Sequence, residues 1–161
     1  MSADRSRLAA ASGAVYLQPE EFDAPPAPFR TGEAGHVWIG ADGAPETDTQ
    51  VRLSANTTHA LLGHGVVNAL NRLPLEMGPL GSGGDVMIPQ AQLDEASAIL
   101  VEADRMTYGG TYEFCAGALP ADPAVGCFVR VNNREYQRSL ARLQFLVGTA
   151  SRQGHAVRLR I

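Results

Sequence analysis

Residues 126–161 read GCFVRVNNREYQRSLARLQFLVGTASRQGHAVRLRI, and the pattern of this stretch decides the fold class. Gly126–Val131 has the apolar, β-branched character of a strand. Asn132 follows in the position of a helix cap, because its short side chain can accept from an orphan N–H of the first turn. From Asn133 to about Arg152 the apolar residues Tyr136, Leu140, Leu143 and Val147 recur at helical spacing and share one face. Gly154 stands where a left-handed helix stop is expected. His155–Ile161 then alternates Val157, Leu159 and Ile161 with Arg158 and Arg160, the signature of a half-buried strand. Strand, long helix and strand in succession indicate helices packed on a sheet.

Working toward the N-terminus, Tyr108–Ala116 reads as the strand that precedes Gly126–Val131. A hairpin centred on Ala121 sets Cys115 opposite Cys127, Phe114 opposite Phe128 and Glu113 opposite Val129. Upstream of it, Pro89 suits a first helical turn, and Leu93, Ala96, Leu100 and Ala103 form a core stripe. Asp85–Ile88 is a short strand. A second helix is expected from about Thr57 to Arg72, capped by Ser54 or Asn56, with Leu62, Val66, Ala69, Leu70 and Leu73 on its buried face. His36–Ile39 and Gln50–Leu53 are strands separated by a turn at Asp42–Gly43. The expected architecture is α+β, a single domain over 34–161 in the order ββαβαββαβ, with a mixed sheet packed by about three helices.

Residues 1–33 differ in character. A short helix around Arg5–Ala11 and a strand at Val15–Leu17 are expected. Beyond these, Pro19, Pro25, Pro26 and Pro28 alternate with Glu20, Glu21 and Asp23 and favour an extended surface arm. The chain has 161 residues and 45% apolar composition, enough for one independent core. It has no apolar run of the ~20 residues needed to span a bilayer and no signal-peptide pattern, so a cytoplasmic protein without membrane contact is expected. All 13 basic residues are arginines, which points to GC-rich coding of bacterial or phage type. Physically, every side-chain cation can pair bidentately with carboxylate or phosphate, and no lysine nucleophile exists.

The charge is polarised. Residues 1–129 hold 16 acidic residues and 6 arginines, whereas residues 130–161 hold 7 arginines and Glu135 alone. On the long helix Arg134, Arg138 and Arg142 follow at intervals of four, so they lie on one stripe, and Phe145 falls in the same sector. Such a face suits an acidic protein partner, a second copy of the chain meeting its own acidic body, or single-stranded nucleic acid. The net charge of −4 weighs against nucleic acid, whose affinity grows with the number of neutralised phosphates.

Other constellations are weaker. His59 lies toward the apolar face of its expected helix and reads as a core histidine. His64 sits between Gly63 and Gly65, with Asn68 and Asn71 on the same side. Glycine is ~1 kcal/mol worse than alanine inside a helix, so the pair marks a close approach by backbone or ligand. His64, Asn68 and Asn71 therefore form a candidate ligand patch, with His64 as acid or base in an enzyme sited near the glycine-rich loop Gly78–Asp85. That loop lacks the order and the lysine of a phosphate-binding loop. Cys115 and Cys127 match neither a zinc nor a redox pattern. No cofactor or metal is expected. The leading expectation is a small binding factor (inhibitor, adaptor or accessory protein) that uses the basic helix face and the acidic arm.

Overall fold

The computed structural model describes residues 8–9, 14–17, 35–40, 50–119 and 122–161. The chain is α+β, a small mixed domain. Its elements are β1 (Leu8–Ala9), β2 (Ala14–Leu17), β3 (His36–Ile39), β4 (Gln50–Arg52), α1 (Ala55–Gly63), α2 (Val66–Leu70), β5 (Asp85–Ile88), α3 (Leu93–Arg105), β6 (Thr111–Leu119), β7 (Asp122–Asn132), α4 (Asn133–Gln153) and β8 (Val157–Arg160). A single 3₁₀ turn, Gln90–Gln92, leads into α3. Leu8–Ala9 is a strand, not part of the helix expected around Arg5–Ala11. The proline-rich segment of the expected arm lies outside the described residues.

The strands form two sheets of four rather than one. One has the order β4-β3-β8-β5 and is antiparallel throughout. Its cross-strand rows Val37–Leu159–Val86 and Ile39–Val157–Ile88 carry the apolar side chains that join the helices in the core. The other has the order β1-β2-β7-β6, with β2 parallel to β7. The rows are apolar because period-2 alternation sends every second residue inward.

Helix α4 forms as its local signals dictate. Asn132 accepts from the N–H of Glu135 at 3.0 Å, and Gly154 stops the helix in the left-handed region at φ 73°. Tyr136, Leu140, Leu143, Leu146, Val147 and Ala150 are buried along one face.

Two sequence expectations are corrected. First, the hairpin β6–β7 is out of the symmetric register by one residue. Phe114 pairs with Val129, Cys115 with Phe128 and Glu113 with Arg130, and a bulge between Cys115 and Gly117 shifts the rest so that Gly117 meets Cys127. A second irregularity lies between Ala118, which meets Gly126, and Leu119, which meets Asp122, and together the two break the mirror symmetry that would set cysteine against cysteine. Cys115 is exposed. Second, the helix expected over 57–72 is two helices. His64 caps α1, and Gly65 turns the chain at φ 80° before α2 begins. Gly63 is a packing glycine, since a Cβ there would lie 2.3 Å from the Phe114 ring.

Hydrogen bonds pin the start of α1 to the β7–α4 junction. Asn56 donates from Nδ2 to the Asn132 carbonyl at 3.0 Å and accepts from the Asn132 N–H at 2.6 Å. Ser54 caps α1 through the Thr57 N–H and also meets the Glu135 carboxylate. Thr57 Oγ1 and Ser139 Oγ lie 2.9 Å apart. No helix among the described residues is long and apolar enough to cross a membrane.

Candidate functional site

The outward sector of α4 carries Arg134, Arg138, Arg142 and Phe145, all exposed, with Phe145 72% accessible. The exposed Phe145 ring is an apolar anchor on this face. Arg152 falls on the same stripe, eighteen residues beyond Arg134, and donates to Thr149 Oγ1 at 3.1 Å. At ~1.5 Å rise per residue the basic stripe runs about 27 Å along the helix.

The arginine excess of the C-terminal stretch divides into two groups. On the sheets Arg130 pairs with Glu113 and Arg160 with Asp85, the latter at an Nε–Oδ1 distance of 2.7 Å, while Arg158 donates to the Met77 sulfur at 3.6 Å. The hydrogen bond from Arg160 holds the Asp85 carboxyl below its usual range. On α4, by contrast, no carboxylate among the described residues pairs with Arg134, Arg138 or Arg142. These three cations sit together on one rigid element.

Beside that stripe a groove of about 570 Å³ opens between α4 and the edge strand β4. The strand side supplies Ile39, Gln50, Val51 and Arg52, and the helix side Arg142, Phe145 and Leu146. Its lining is mainly apolar, includes Arg52 and Arg142, and contains no described carboxylate. Its volume falls in the range of about 300–1,000 Å³ typical of binding clefts. Arg52 was not legible as a site residue, because only the pairing of β4 with β3 brings it near α4.

The expected ligand patch does not assemble as a unit. Asn71 is a structural bracket: its Oδ1 accepts from the Leu80 N–H at 2.8 Å and its Nδ2 donates to the Leu80 carbonyl at 3.1 Å, fixing the glycine-rich loop. Asn68 is exposed on α2. His64 instead stacks with two tyrosine rings, 4.2 Å from Tyr112 and 4.8 Å from Tyr136, nearly parallel to the latter at 2°. Asn133 fixes its tautomer. The Asn133 Nδ2 donates to the Tyr108 carbonyl at 2.8 Å, so its Oδ1 accepts from His64 Nε2 at 3.0 Å.

Burial lowers the His64 pKa, and the hydrogen bond to Asn133 offsets this only in part. The neutral ring is thus the form the fold prefers. His64 also lines a cleft of about 390 Å³ between the α1–α2 turn and α3, with Glu95, Ile99, Glu102 and Met106. Glu102 is held by Arg105 at 2.8 Å. The phenol of Tyr136 is buried, its oxygen has no hydrogen-bond partner among the described residues, and burial raises its pKa. His59 is a core residue whose Nδ1 donates to the Ala55 carbonyl at 2.7 Å. No group of His, Cys, Asp and Glu among the described residues could hold a metal ion.

The lowered His64 pKa gives a signed pH dependence. The unfolded ring protonates near its ordinary value of 6.5, the folded ring only at lower pH. The stabilisation from His64 is therefore complete above pH 6.5 and is lost as pH falls through the folded value. His64→Phe keeps a stacked ring and removes the titration. Urea midpoints measured from pH 8 to pH 5 should show the wild type losing stability relative to His64→Phe as the pH drops. A difference that is constant with pH would refute this.

In comparisons with known proteins, no family model, no curated protein and no solved structure matches this chain.

Proposed function

We propose that this chain is a small binding protein that engages an acidic protein partner through the outer face of α4 and the groove beside it. One observation carries the reading: Arg134, Arg138 and Arg142 are exposed on a rigid helix beside the exposed ring of Phe145, with no described carboxylate neutralising them. Complementary charge of this kind sets encounter rate and register, while the aromatic ring supplies the apolar contact that gives affinity. The acidic segment with Glu20, Glu21 and Asp23 is a second contact in this reading. Cytoplasmic residence and a bacterial or phage source belong to it as well.

The test is co-purification from the source cell in mild salt. A stoichiometric partner is expected, lost with the triple change Arg134→Glu, Arg138→Glu, Arg142→Glu and weakened in high salt, where exposed charges are screened within ~3 Å at 1 M. A partner retained equally by the triple variant would sink the proposal, and so would the absence of any stoichiometric partner. Recovery of a second copy of this chain in its place would convert the reading to self-association.

A second reading is single-stranded nucleic acid on the same face. Phe145 beside Arg142 favours it, since bases stack on exposed aromatic rings. Its signature is oligonucleotide binding in low salt that the triple variant abolishes. A third reading, an enzyme using His64 as acid or base, is favoured by the placement of His64 in a cleft with Glu95 and Glu102.

A further inference from the structure

We infer that β4 accepts an extended acidic segment of the partner as an added strand, laid in the groove between the sheet edge and α4. The inference rests on the protein-binding reading above and names its mode.

Three observations converge on it. The first is backbone geometry. Among the described residues β4 is the terminal strand of its sheet, paired with β3 alone. The N–H of Leu53 donates to the Gly35 carbonyl at 2.7 Å, so these two residues form a hydrogen-bonded pair. In an antiparallel ladder such pairs alternate with pairs whose N–H and C=O groups point outward. Val51 and Val37 are therefore the next bonded pair, and the backbone groups of Gln50 and Arg52 face away from β3. Two residues that present donors and acceptors about 7 Å apart are the template for an added strand.

The second observation is the groove itself. Its floor, with Ile39, Val51 and Leu146, lies beside this edge, and Phe145 forms the outer wall. A strand placed there sends alternate side chains toward that apolar floor. The third is charge. Arg52 and Arg142 are both part of the lining, which contains no described carboxylate. The occupant that satisfies all three is a short extended peptide alternating apolar and acidic residues. A compact anion would leave the backbone groups of β4 unused, and an amphipathic helix cannot bond to them.

The probe is the hexapeptide fluorescein-(Val-Glu)₃-amide, with the label on its N-terminus, titrated against the full chain and followed by anisotropy. Two isomers of it carry backbone N-methyl groups, one at the valines and the other at the glutamates. Each isomer keeps the charge and the side chains but blocks one edge of the strand. Strand addition predicts that the parent binds saturably and that one isomer loses about tenfold or more in affinity while the other retains it, since blocking removes hydrogen bonds on one edge only. Amide protons of Gln50 and Arg52 gain protection from exchange in the complex. Arg142→Glu weakens the parent at least about tenfold, because a charge-assisted contact becomes a repulsion.

Equal affinity of both isomers and the parent overturns strand addition and leaves the basic-face reading standing. Equal loss by both isomers overturns it too. No saturable binding of the parent overturns it as well, the result expected if the groove is filled by the acidic N-terminal segment of this chain or by a second copy. Failure of the basic-face reading is registered separately, by a cellular partner that the triple arginine variant retains.

Discussion

Replacing Asn56 by leucine is expected to lower the stability of the domain by about 2–4 kcal/mol, the largest effect of any single polar substitution considered for this chain. The side chain is 4% exposed and makes two hydrogen bonds to one backbone unit, the N–H and C=O of Asn132. Leucine fills a similar volume but offers neither donor nor acceptor. Both backbone groups of Asn132 then lose their partners, and a buried unsatisfied group costs about 1–3 kcal/mol. The position magnifies the effect. Asn132 ends β7 and caps α4, so Asn56 joins α1 to the element that carries the arginine stripe. Urea denaturation of the variant measures the change. A loss below ~1 kcal/mol means that water replaces the bracket, and the structural argument fails.

Gly63→Ala is the second. Alanine in the last turn of a helix is ordinarily favoured over glycine by about 1 kcal/mol. Here the sign is reversed, because the added Cβ meets Phe114 Cδ1 at 2.3 Å and Cε1 at 2.4 Å. No real Cβ contact is that short, so the ring and the hairpin that bears it must move. Overpacking of this kind costs roughly 1–3 kcal/mol. A double-mutant cycle isolates the cause. In a Phe114→Ala background the same change at Gly63 is expected to be neutral or stabilising. If Gly63→Ala destabilises both backgrounds equally, Phe114 is not the obstacle.

The contrast between α4 and the hairpin shows what the sequence could and could not reveal. The signals that shape α4 are local: a capping asparagine, a 3.6-residue apolar period and a terminal glycine, all within one contiguous run. They place the helix and its exposed stripe with no knowledge of the rest of the chain. The hairpin register depends on a bulge near Ala116, a choice made between two strands and invisible to either one alone. The break after Gly63 was hidden for a related reason. Gly63 and Gly65 stand two residues apart, and one admits a neighbouring ring while the other turns the backbone.

The site divides along the same line. The helix half, Arg134, Arg138, Arg142 and Phe145, was readable from spacing. Arg52 and the open edge of β4 were not, because they become neighbours of Arg142 only through long-range strand pairing. The patch of His64, Asn68 and Asn71 failed for want of a continuous helix. Once Gly65 turns the chain, side-chain angles extrapolated from an unbroken helix no longer hold. The true neighbours of His64, namely Tyr112, Asn133 and Tyr136, come from β6 and α4.

The arginines beside the edge of β4 have a consequence for the behaviour of the protein in concentrated solution. A long, flat, apolar sheet edge is a seed for aggregation, since each molecule that docks exposes a new edge for the next. β4 ends in Arg52, and Arg142 lines the same groove. Two such edges brought together set guanidinium against guanidinium, so fibre growth through this face is disfavoured from its first step. Neutralising Arg52 and Arg142 together would remove that safeguard, leaving an apolar trough beside an uncharged strand edge.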